Sequence, residues 1–458
     1  MTDSNDRSKH DSTGALTEKR RRATAVVKRL QEAGHEAYWV GGCVRDMLRG
    51  LAPEDYDVAT SARPEVIQAL FPHTRSVGAA FGVILVVDEP WQFEIATFRK
   101  DAPYTDHRHP VNVEYGTLEE DARRRDFTIN ALYFDPITRR VIDLVGGQVD
   151  LEARVLRTVG VPEERFWEDA LRLMRAVRFG AILEFEIEAH TWAALCSNVR
   201  LIRYVSAERI RDELNRMLIH PNRRRALELL MASGLLEVIL PEVAAMKGVE
   251  QPAAYHPEGD VWTHTLLTME HLGGNPGLEL VWAALLHDVG KPPTFERASD
   301  RIRFNNHQIV GEQLALQILN RLKFPRAVAL RIAAMVRRHM DFINVRQMRR
   351  STLRRFLSAE TITDELALHR ADCLASHGDL QNLDFCRTRI KEFEQEHVPL
   401  LPPPLITGKD LIRLGYIPGP VFSKILDDVM TRQLDEELKS PEDAEKYVRE
   451  KYPMNTSD

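Results

Sequence analysis

The sequence predicts an α+β protein in which a mixed region of strands and helices is followed by a long region of helices alone. Two observations indicate this fold class. Short apolar runs and two-residue alternation dominate the chain up to about residue 100, whereas beyond residue 151 apolar residues recur with helical spacing. With 458 residues, the chain is also longer than a typical single domain.

We divide the chain into six predicted segments. The N-terminus is polar and rich in Ser, Thr and Asp, so we expect it to be disordered. Turn residues such as Gly248 and Pro252 are typical of a linker. The segments are a disordered N-terminus at 1–23, an α+β head at 24–151, a helical neck and body at 152–242, a linker at 243–260, a second helical domain at 261–390 and a small helical tail at 391–458.

Composition places the chain among ordinary globular proteins, with 44% hydrophobic and 28% charged residues. No apolar run approaches the ~20 residues of a membrane span. The four cysteines lack paired spacing, and the N-terminus lacks the apolar core of a signal peptide. We therefore expect free thiols in a cytoplasmic protein that contacts no membrane.

The head begins with a short apolar strand at 37–40 that ends in paired glycines. Gly41 and Gly42 allow the backbone to turn tightly and to approach a bulky anion closely. Arg45 adds a guanidinium whose forked donors suit phosphate. This arrangement predicts a phosphate cradle.

Three carboxylates follow the cradle. Asp55 and Asp57 alternate in a predicted strand at 55–59, so both side chains point from one face. Glu94 lies in a predicted strand at 92–99 and faces away from its larger apolar neighbours. Oxygen ligands on one face are suited to holding Mg²⁺ for phosphoryl or nucleotidyl transfer. An isolated Asp-x-Asp more often marks a solvated strand end, but the motifs that follow favour the metal site.

The predicted neck carries a helix at 165–179, in which Asp169 and Arg172 are three residues apart and share a face. Taken alone, this spacing is typical of a surface ion pair. Between residues 169 and 225 the chain has eleven Arg and no Lys, against seven acidic residues. On a chain with formal net charge -6, this basic stripe suits contact with RNA phosphates.

The second helical domain contains histidines and aspartates in the pattern of a metal site. A very apolar helix at 278–286 ends in His287 and Asp288. Imidazole and carboxylate groups on neighbouring helices can build a compact divalent metal site. The candidate ligands are His264, His287, Asp288, His307, His339 and Asp372.

Four motifs of the head occur in the order and at the spacing of one enzyme family. They are Gly-Gly-x-x-Arg-Asp from Gly41, Asp-x-Asp from Asp55, Glu-Ile-Ala-Thr-Phe-Arg from Glu94 and Arg-Arg-Asp-Phe-Thr-Ile-Asn-Ala-Leu from Arg124. With them the chain resembles the bacterial tRNA nucleotidyltransferase and poly(A) polymerase family, the class II branch of the polymerase-beta-like nucleotidyltransferases. The resemblance covers nearly all of the chain after about residue 23. It implies a polymerase-beta-like head carried on an all-α body.

The resemblance also implies roles for individual residues. Asp55 and Asp57 would hold two Mg²⁺ ions, and Glu94 would assist the incoming hydroxyl. Asp169 and Arg172 would choose the base without a nucleic-acid template. The implied nucleotide-binding residues are Gly41, Gly42 and Arg45 around the triphosphate, Arg125, Asp126 and Asn130 on the ribose and phosphate side, and Asp169, Arg172, Arg175 and Arg178 in the neck.

The second helical domain resembles the HD phosphohydrolase superfamily. The resemblance implies a metal quartet of His264, His287, Asp288 and Asp372, with His307 and His339 as the additional ligands of two-metal members. The implied ion is a divalent transition metal: Ni, Co, Mn, Fe or Zn. Hydrolysis of nucleotides or RNA ends and a structural metal site without turnover both stay open.

The implied function is template-independent addition of CMP and AMP, from CTP and ATP, to the 3′ end of tRNA, with a second phosphohydrolase activity. DNA is not an expected partner, and the oligomeric state is not predicted. A poly(A) polymerase, or an enzyme that adds only C or only A, is the alternative. The attached HD domain and the absence of a long basic C-terminal extension favour tRNA. Residues 104–110 resemble the family's full-length loop and favour addition of A as well as C.

Two readings from other classes are disfavoured. The chain could be a hydrolase whose head only binds RNA, but Asp55, Asp57 and Glu94 are all present. It could also be a non-catalytic RNA-binding module, but such a module would not need two sets of metal ligands.

Overall fold

The computed structural model describes residues 4–78, 82–101, 113–253, 256–395 and 399–453. The chain forms two compact units, Met1–Pro241 and Glu242–Asp458. Among the described helices, none combines the length and the apolar character that a bilayer crossing requires.

A mixed sheet forms the centre of the first unit. Its strands and the short accessory strands are β1 (Ala37–Val40), β2 (Asp57–Thr60), β3 (Thr74–Gly78), β4 (Val83–Asp88), β5 (Trp91–Thr97), β6 (Arg99–Asp101), β7 (Val113–Tyr115), β8 (Leu132–Asp135), β9 (Arg140–Asp143), β10 (Val155–Leu156) and β11 (Glu186–Ile187). Within the described residues, seven strands form one sheet in the order β3-β4-β5-β2-β1-β8-β9. Strand β2 runs parallel to β5 and antiparallel to β1, so the sheet is mixed as predicted.

The alternation of apolar residues explains the burial of the central strands. In β5, Phe93 and Ile95 are fully buried and Thr97 is nearly so, whereas Gln92 and Glu94 are exposed. Successive side chains of a strand point to opposite faces, so Glu94 lies on the face opposite the core. This placement agrees with the prediction from the sequence.

The helices of the first unit surround the sheet and continue beyond it. They are α1 (Ser4–Glu32), α2 (Gly42–Leu48), α3 (Pro64–Leu70), α4 (Leu118–Arg123), α5 (Gly147–Ala153), α6 (Pro162–Glu168), α7 (Leu171–Ile182), α8 (Ala189–Asn198), α9 (Ala207–Ile219), α10 (Arg223–Ser233) and α11 (Leu235–Ile239). Short 3₁₀ helices occur at Thr128–Asn130 and Val199–Tyr204. After β9 the first unit is almost entirely helical, which confirms the predicted α+β class.

The segment 1–23, predicted to be disordered, overlaps α1, which begins at Ser4 among the described residues. Ala23, Val26, Val27 and Leu30 recur with helical spacing and are almost completely buried. Through these residues α1 packs against β1 and α3. The polar composition of the first residues concealed a helix whose C-terminal half belongs to the core.

The predicted helix at 165–179 is divided into α6 and α7. Asp169 has an extended backbone (φ −136°, ψ 102°) between the two helices. Its Oδ1 accepts a hydrogen bond from the Leu171 amide at 3.1 Å. A short acidic side chain that binds nearby backbone amides competes with helix continuation, and this explains the break.

The second unit is a bundle of helices with one short hairpin. Its elements, starting at the division between the units, are α12 (Pro241–Ala244), α13 (Val261–His271), α14 (Leu278–Leu286), β12 (Phe295–Arg297), β13 (Ile302–Phe304), α15 (His307–Arg321), α16 (Arg326–Arg338), α17 (Arg350–Leu357), α18 (Ile362–Ala375), α19 (Gln381–Gln395), α20 (Gly408–Arg413), α21 (Pro420–Leu434) and α22 (Pro441–Lys451). Helix α14 has the predicted bounds and is buried along its whole length from Leu280 on. Helix α20 starts after Thr407, which forms a capping box with Asp410.

The segment 243–260, predicted as a linker, belongs to the second unit. Val243 and Met246 have no exposed surface. The backbone amide of Val261 donates to the carbonyl of Val249 at 3.0 Å, so the segment folds back on the start of α13. Its turn residues therefore mark a packed loop.

Candidate functional site

The predicted phosphate cradle lies where β1 meets α2. Gly41 has φ 78° and ψ −131°, a conformation that residues with a side chain rarely adopt. A Cβ atom at this position would lie 3.7 Å from the carbonyl oxygen of Asn130 and 3.8 Å from a guanidinium nitrogen of Arg125. The turn thus brings Gly41 beside two residues that the sequence assigned to the same site.

A chain of hydrogen bonds fixes the predicted nucleotide-binding residues. Arg45, which is 8% exposed, donates to Oδ1 of Asn130 at 2.8 Å. Asn130 donates to Oδ1 of Asp126 at 3.3 Å, and Arg175 donates to Oδ2 of Asp126 at 2.7 Å. Although burial acts to raise it, the charge of Arg175 holds the pKa of Asp126 below its usual value. The hydrogen bonds therefore connect helix α2, helix α7 and the segment that follows α4.

The aromatic ring of Phe179 forms a platform for three of these cations, and the sequence analysis missed it. The guanidinium carbons of Arg45, Arg175 and Arg178 lie 5.4, 5.2 and 4.1 Å from the ring centroid. Arg178 also donates to the buried carboxylate of Glu213 at 2.6 Å. Cation–π contacts of this kind hold positive charge without neutralising it. Each of the three arginines is also paired with a carboxylate: Arg45 with Asp46, Arg175 with Asp126 and Arg178 with Glu213.

Asp57 and Glu94 lie side by side on neighbouring strands. Strands β2 and β5 run parallel, and Val58 pairs with Ile95. Asp57 and Glu94 each precede these partners by one residue, so they lie opposite one another on the same face of the sheet. Two effects raise the pKa of Asp57 to about 6: partial desolvation of its carboxylate and repulsion by the negative charge of Glu94. Carboxylates that repel one another in this way form a site for a divalent cation.

Asp55 is not part of the strand, which corrects the prediction of a strand at 55–59. Strand β2 starts at Asp57 because its last partner in β1 is Val40, after which the Gly41 turn ends the ladder. The Asp55 carboxylate is 85% exposed and accepts from Nζ of Lys19 at 2.8 Å. Lys19 lies in α1, in the segment predicted to be disordered. The charges of Glu94 and Asp55 both raise the pKa of Asp57, but among the described residues the three carboxylates do not form a group with ligand atoms within 4.8 Å of one another.

Arg125 is held by two residues that the sequence analysis missed. Asp121 accepts from Arg125 at 3.0 Å and from the Tyr133 hydroxyl at 2.7 Å, and Arg125 Nε donates to that hydroxyl oxygen at 3.0 Å. Burial opposes ionisation, but the arginines hold the pKa of Asp121 well below its usual range. Asp121 therefore keeps Arg125 oriented next to the Gly41 turn.

Asp169 and Arg172 do not pair with one another. Asp169 accepts from Arg209 at 3.1 Å. Arg172 donates to Glu168 at 2.7 Å, and to the carbonyl oxygens of Arg165 and Arg124 at 3.0 and 2.9 Å. The expected shared helical face is absent because the helix breaks between these residues. Glu168 and Arg209 are further residues of this region that sequence spacing alone did not identify.

In the second unit all six predicted ligands come together. Nε2 of His264 is 3.0 Å from Asp372 and 3.3 Å from Nε2 of His287. Nε2 atoms of His307 and His339 are 3.2 Å apart, and Oδ1 of Asp288 is 3.5 Å from His307 and 3.8 Å from His339. Two groups of three ligands result: His264, His287 and Asp372, and Asp288, His307 and His339.

This donor set fits a transition metal. Ligands bound to one ion at ~2.0–2.1 Å are separated by about 3.0–3.4 Å, which is the spacing of the paired imidazole nitrogens. Burial lowers the pKa of His339 to about 3, so this imidazole is neutral and free to ligate. The carboxyl of Asp288 is held ionised, because the charges of His287 and Lys291 lower its pKa against the effect of burial. His256 and Glu258, which the sequence analysis assigned to the linker, adjoin His264 as a third group.

Comparison with known proteins agrees with this architecture. Family models match the Poly A polymerase head domain at residues 37–157, the probable RNA and SrmB- binding site of polymerase A at 184–247 and the HD domain at 261–376. A relative from Deinococcus radiodurans, an A-adding tRNA nucleotidyltransferase, is 36% identical over 434 residues, which cover 90% of this chain and 94% of the relative.

The chain belongs to the tRNA nucleotidyltransferase family. The resemblance drawn from the motifs is thus confirmed. A CCA-adding enzyme of Geobacillus kaustophilus is 45% identical over 233 residues, which make up 51% of this chain and 57% of that enzyme. Over the aligned region the chain therefore spans little more than half the length of this relative.

Among solved structures, the Bacillus stearothermophilus CCA-adding enzyme in complex with CTP is similar, with a TM-score of 0.71 and 28% identity. The similarity covers 94% of this chain and 96% of that enzyme. The family's class II head, RNA-binding region and HD domain are therefore all present here, in the predicted order.

Proposed function

We propose that this protein adds CMP and AMP, from CTP and ATP, to the 3′ end of tRNA. The observation that carries the proposal is the placement of Asp57 and Glu94 in register on adjacent strands, in the same unit as the Arg45 network. Membership of the tRNA nucleotidyltransferase family supports the same reaction. The Bacillus stearothermophilus relative was solved with CTP, which supports CTP as one substrate.

In the proposed reaction the 3′-hydroxyl of tRNA attacks the α-phosphate of the nucleotide. A new O–P bond forms, the bond to the β-phosphate breaks, and pyrophosphate leaves. Glu94 accepts the proton of the attacking hydroxyl. Asp55 and Asp57 would hold two Mg²⁺ ions, which when bound would neutralise phosphate charge. Lys19 neutralises Asp55 in the described structure, so it must release this carboxylate when an ion binds.

The Arg45 network would hold the nucleotide. Arg45, Arg125 and Arg175 each keep a carboxylate or amide partner that fixes the guanidinium, while their charges are available to the triphosphate. Gly41 and Gly42 would let the phosphates approach the backbone. Positioned donors of this kind accelerate the reaction by orientation as well as by charge.

Asp169 and Arg172 would select the base, as a carboxylate acceptor next to a guanidinium donor. In the described structure both groups are engaged with protein partners. Base selection therefore requires that the nucleotide either replaces the Arg209 and carbonyl contacts or uses the remaining hydrogen-bonding positions. Glu168 can retain Arg172 during this exchange, because its ion pair with Arg172 does not depend on the base.

The alternatives differ in the product and not in the head chemistry. The Deinococcus radiodurans relative is an A-adding tRNA nucleotidyltransferase, which supports an A-only enzyme as the nearest alternative. An enzyme that adds only C and a poly(A) polymerase are the others. The segment 104–110, from which the sequence analysis inferred addition of both nucleotides, lies outside the described residues. The choice between these products therefore rests on an assay.

The assay uses the full-length protein, Mg²⁺ and three tRNAs that end before C, after C and after CC. Each labelled nucleotide is supplied alone and then both together, and product lengths are read on a gel. Growth of all three tRNAs to CCA and no further supports the proposal. Extension of only the tRNA that ends in CC identifies an A-adding enzyme, and a long adenylate ladder identifies a poly(A) polymerase. No incorporation with any tRNA would contradict the proposal.

We further assign a phosphohydrolase role to the second unit, with a divalent transition metal held by the histidine and aspartate cluster. Nitrogen ligands favour Ni²⁺, Co²⁺, Zn²⁺ or Fe²⁺ over Mg²⁺. 2′,3′-Cyclic phosphates and 2′-nucleotides are the proposed substrates. The four cysteines, all unpaired, support the proposal that the protein works in the reducing cytoplasm.

A further inference from the structure

Four histidines of the second unit, His264, His287, His307 and His339, present Nε2 to the cluster and use Nδ1 for a hydrogen bond. In three of them the acceptor is the main-chain carbonyl three residues earlier. The Nδ1–oxygen distances are 2.8 Å from His287 to Ala284, 2.9 Å from His307 to Phe304 and 2.7 Å from His339 to Val336. These bonds fix the ring orientation. Because the acceptors are main-chain carbonyls, replacing the side chain of the acceptor residue does not remove them.

His264 is the exception among the four. Its Nδ1 lies 2.7 Å from Oε1 of Glu258, a side chain that is only 6% exposed. The carbonyl three residues before His264 is that of Val261, and it accepts from the Thr265 hydroxyl at 2.9 Å. His264 lies inside helix α13, whereas His287 and His339 follow the last residues of α14 and α16. The ring must therefore find its acceptor outside its own helix.

We propose that Glu258 is a positioning residue that holds His264 in the tautomer and orientation in which Nε2 can bind a metal ion. This inference rests on the metal centre proposed above. Glu258 Oε1 is also 2.9 Å from Nδ1 of His256, so one carboxylate oxygen binds two imidazoles and is itself fixed. A carboxylate acceptor also makes the imidazole a stronger ligand than a carbonyl acceptor does.

The same three residues could instead ligate an ion themselves, because their ligand atoms lie within 4.8 Å of one another. The distances favour hydrogen bonding. Oε1 of Glu258 is 2.7 and 2.9 Å from the two Nδ1 atoms, shorter than the about 3.3 Å between two ligands of a tetrahedral ion. The central imidazole pairs, at 3.2 and 3.3 Å, do have that spacing.

The test measures metal affinity in the full-length protein after its metal has been removed. Co²⁺ and Ni²⁺ are titrated into the wild type, Glu258→Ala, Glu258→Gln and the control Glu250→Gln, in competition with a chelator. Glu250 lies in the same segment, is exposed and pairs with Arg297, so its loss leaves the cluster intact. We expect Glu258→Ala to weaken binding by about 10–100-fold with the same number of ions at saturation. Glu258→Gln, which keeps the shape of the side chain without its charge, should fall between Glu258→Ala and the wild type.

Each other outcome has a distinct meaning. Affinities of both Glu258 variants within twofold of the wild type would overturn the positioning role. Loss of one ion per chain, with the remaining affinity unchanged, would make Glu258 a ligand and would overturn it as well. A wild type that takes up neither ion would overturn the metal centre together with this inference. Circular dichroism and nucleotide addition by the same samples verify the fold, and Glu258→Gln decides the question if Glu258→Ala does not fold.

Discussion

The two candidate metal sites of this chain differ in the way in which the protein prepares them. In the first unit, the candidate ligands Asp55, Asp57 and Glu94 are exposed carboxylates, and Lys19 neutralises one of them. In the second unit, His264, His287 and their neighbours are buried, and every imidazole is oriented by a hydrogen bond at Nδ1. The first site requires ions and a nucleotide to complete it, whereas the second is assembled by the fold.

This contrast has a consequence for exchange. A buried cluster of nitrogen and oxygen ligands retains a transition metal through many turnovers, because each ligand is fixed before the metal arrives. An open set of carboxylates binds Mg²⁺ weakly and exchanges it with each nucleotide. We therefore expect Mg²⁺ dependence for nucleotide addition and a resident metal for hydrolysis.

The largest effect is expected from a substitution in the carboxylate site of the first unit, formed by Asp55, Asp57 and Glu94. Asp57→Asn should lower the rate of nucleotide addition by about a hundredfold or more, equivalent to about 2.7 kcal/mol in the barrier, because it removes an anionic ligand without changing the shape. Single-nucleotide addition to tRNA at saturating Mg²⁺ measures this. Asp88→Asn, which alters an exposed ion pair with Arg22 in the same unit, is the control. A variant that keeps more than a tenth of the wild-type rate would contradict the assignment of Asp57 as a Mg²⁺ ligand.

The second largest effect is expected from a double substitution in the histidine and aspartate cluster of the second unit. His287→Ala combined with Asp288→Ala removes one member from each of the two groups formed by the six predicted ligands. The bound transition metal and any hydrolysis of 2′,3′-cyclic phosphates should be lost, while nucleotide addition should survive. Metal analysis and both assays are made on one preparation, with His271→Ala as the control because this histidine of α13 lies outside the cluster.

Two results would contradict this separation. Loss of nucleotide addition by a folded double variant would mean that the two activities depend on one another. A wild type that contains metal but hydrolyses no cyclic phosphate with Ni²⁺, Mn²⁺ or Co²⁺ would make the cluster structural.

The residues that the sequence predicted correctly are those placed by local pattern. Alternation of apolar residues placed Glu94 on the open face of β5, and the Gly41 turn follows from paired glycines after an apolar run. The predicted ligand His287 follows the end of the very apolar helix α14. In each case the information lies within a few residues of the site.

The residues that it missed are placed by partners far along the chain. Arg209 is 40 residues from Asp169, and their bond accompanies the break in the helix that the spacing predicted to be continuous. Glu258 was hidden in a segment whose prolines and glycines indicated a linker. Lys19 was hidden in a polar terminus whose helix is stabilised by burial further along. Such tertiary contacts leave no periodic signal.

A smaller effect concerns base selection. Arg172→Ala should weaken discrimination of CTP and ATP against UTP and GTP by about 10- to 100-fold, because the base edge would be left without its donor at a cost of about 1–3 kcal/mol. Glu168→Gln should have a smaller effect in the same direction, since it removes the negative charge from one of the three acceptors of Arg172. The ratio of kcat/KM values for the four nucleotides measures both.

Arg21→Ala is the matched control, because it removes an exposed arginine that pairs with Glu18 and lies outside the basic stripe. Unchanged ratios with uniformly weaker binding of all four nucleotides would show that Arg172 binds phosphate or supports the fold.

The smallest expected effect is a pH dependence of stability whose sign differs between Asp57 and the carboxylates Asp288 and Asp372. The pKa of Asp57 is raised from 3.8 to about 6 in the folded protein, so between these values the folded state binds the proton and the unfolded state does not. The free energy of unfolding should therefore fall as the pH rises from about 4 to 6. At Asp288 and Asp372 the pKa is lowered, so their contribution to stability is present at neutral pH and is lost on acidification.

Asp57→Asn cannot titrate, so without Mg²⁺ it should be more stable than the wild type at pH 7.5, and this advantage should shrink by pH 4.5. Because solvent screens the exposed carboxylate, the change should be below about 1 kcal/mol. Thermal unfolding midpoints of both proteins at the two pH values, with a chelator present, measure the difference, and Asp88→Asn should show no comparable trend. An advantage that grows on acidification would mean that Asp57 is stabilised as the anion, by a cation such as Lys19. The carboxylate of Asp57 would then be held in its ionised form by the fold, as the carboxylates of the second site are.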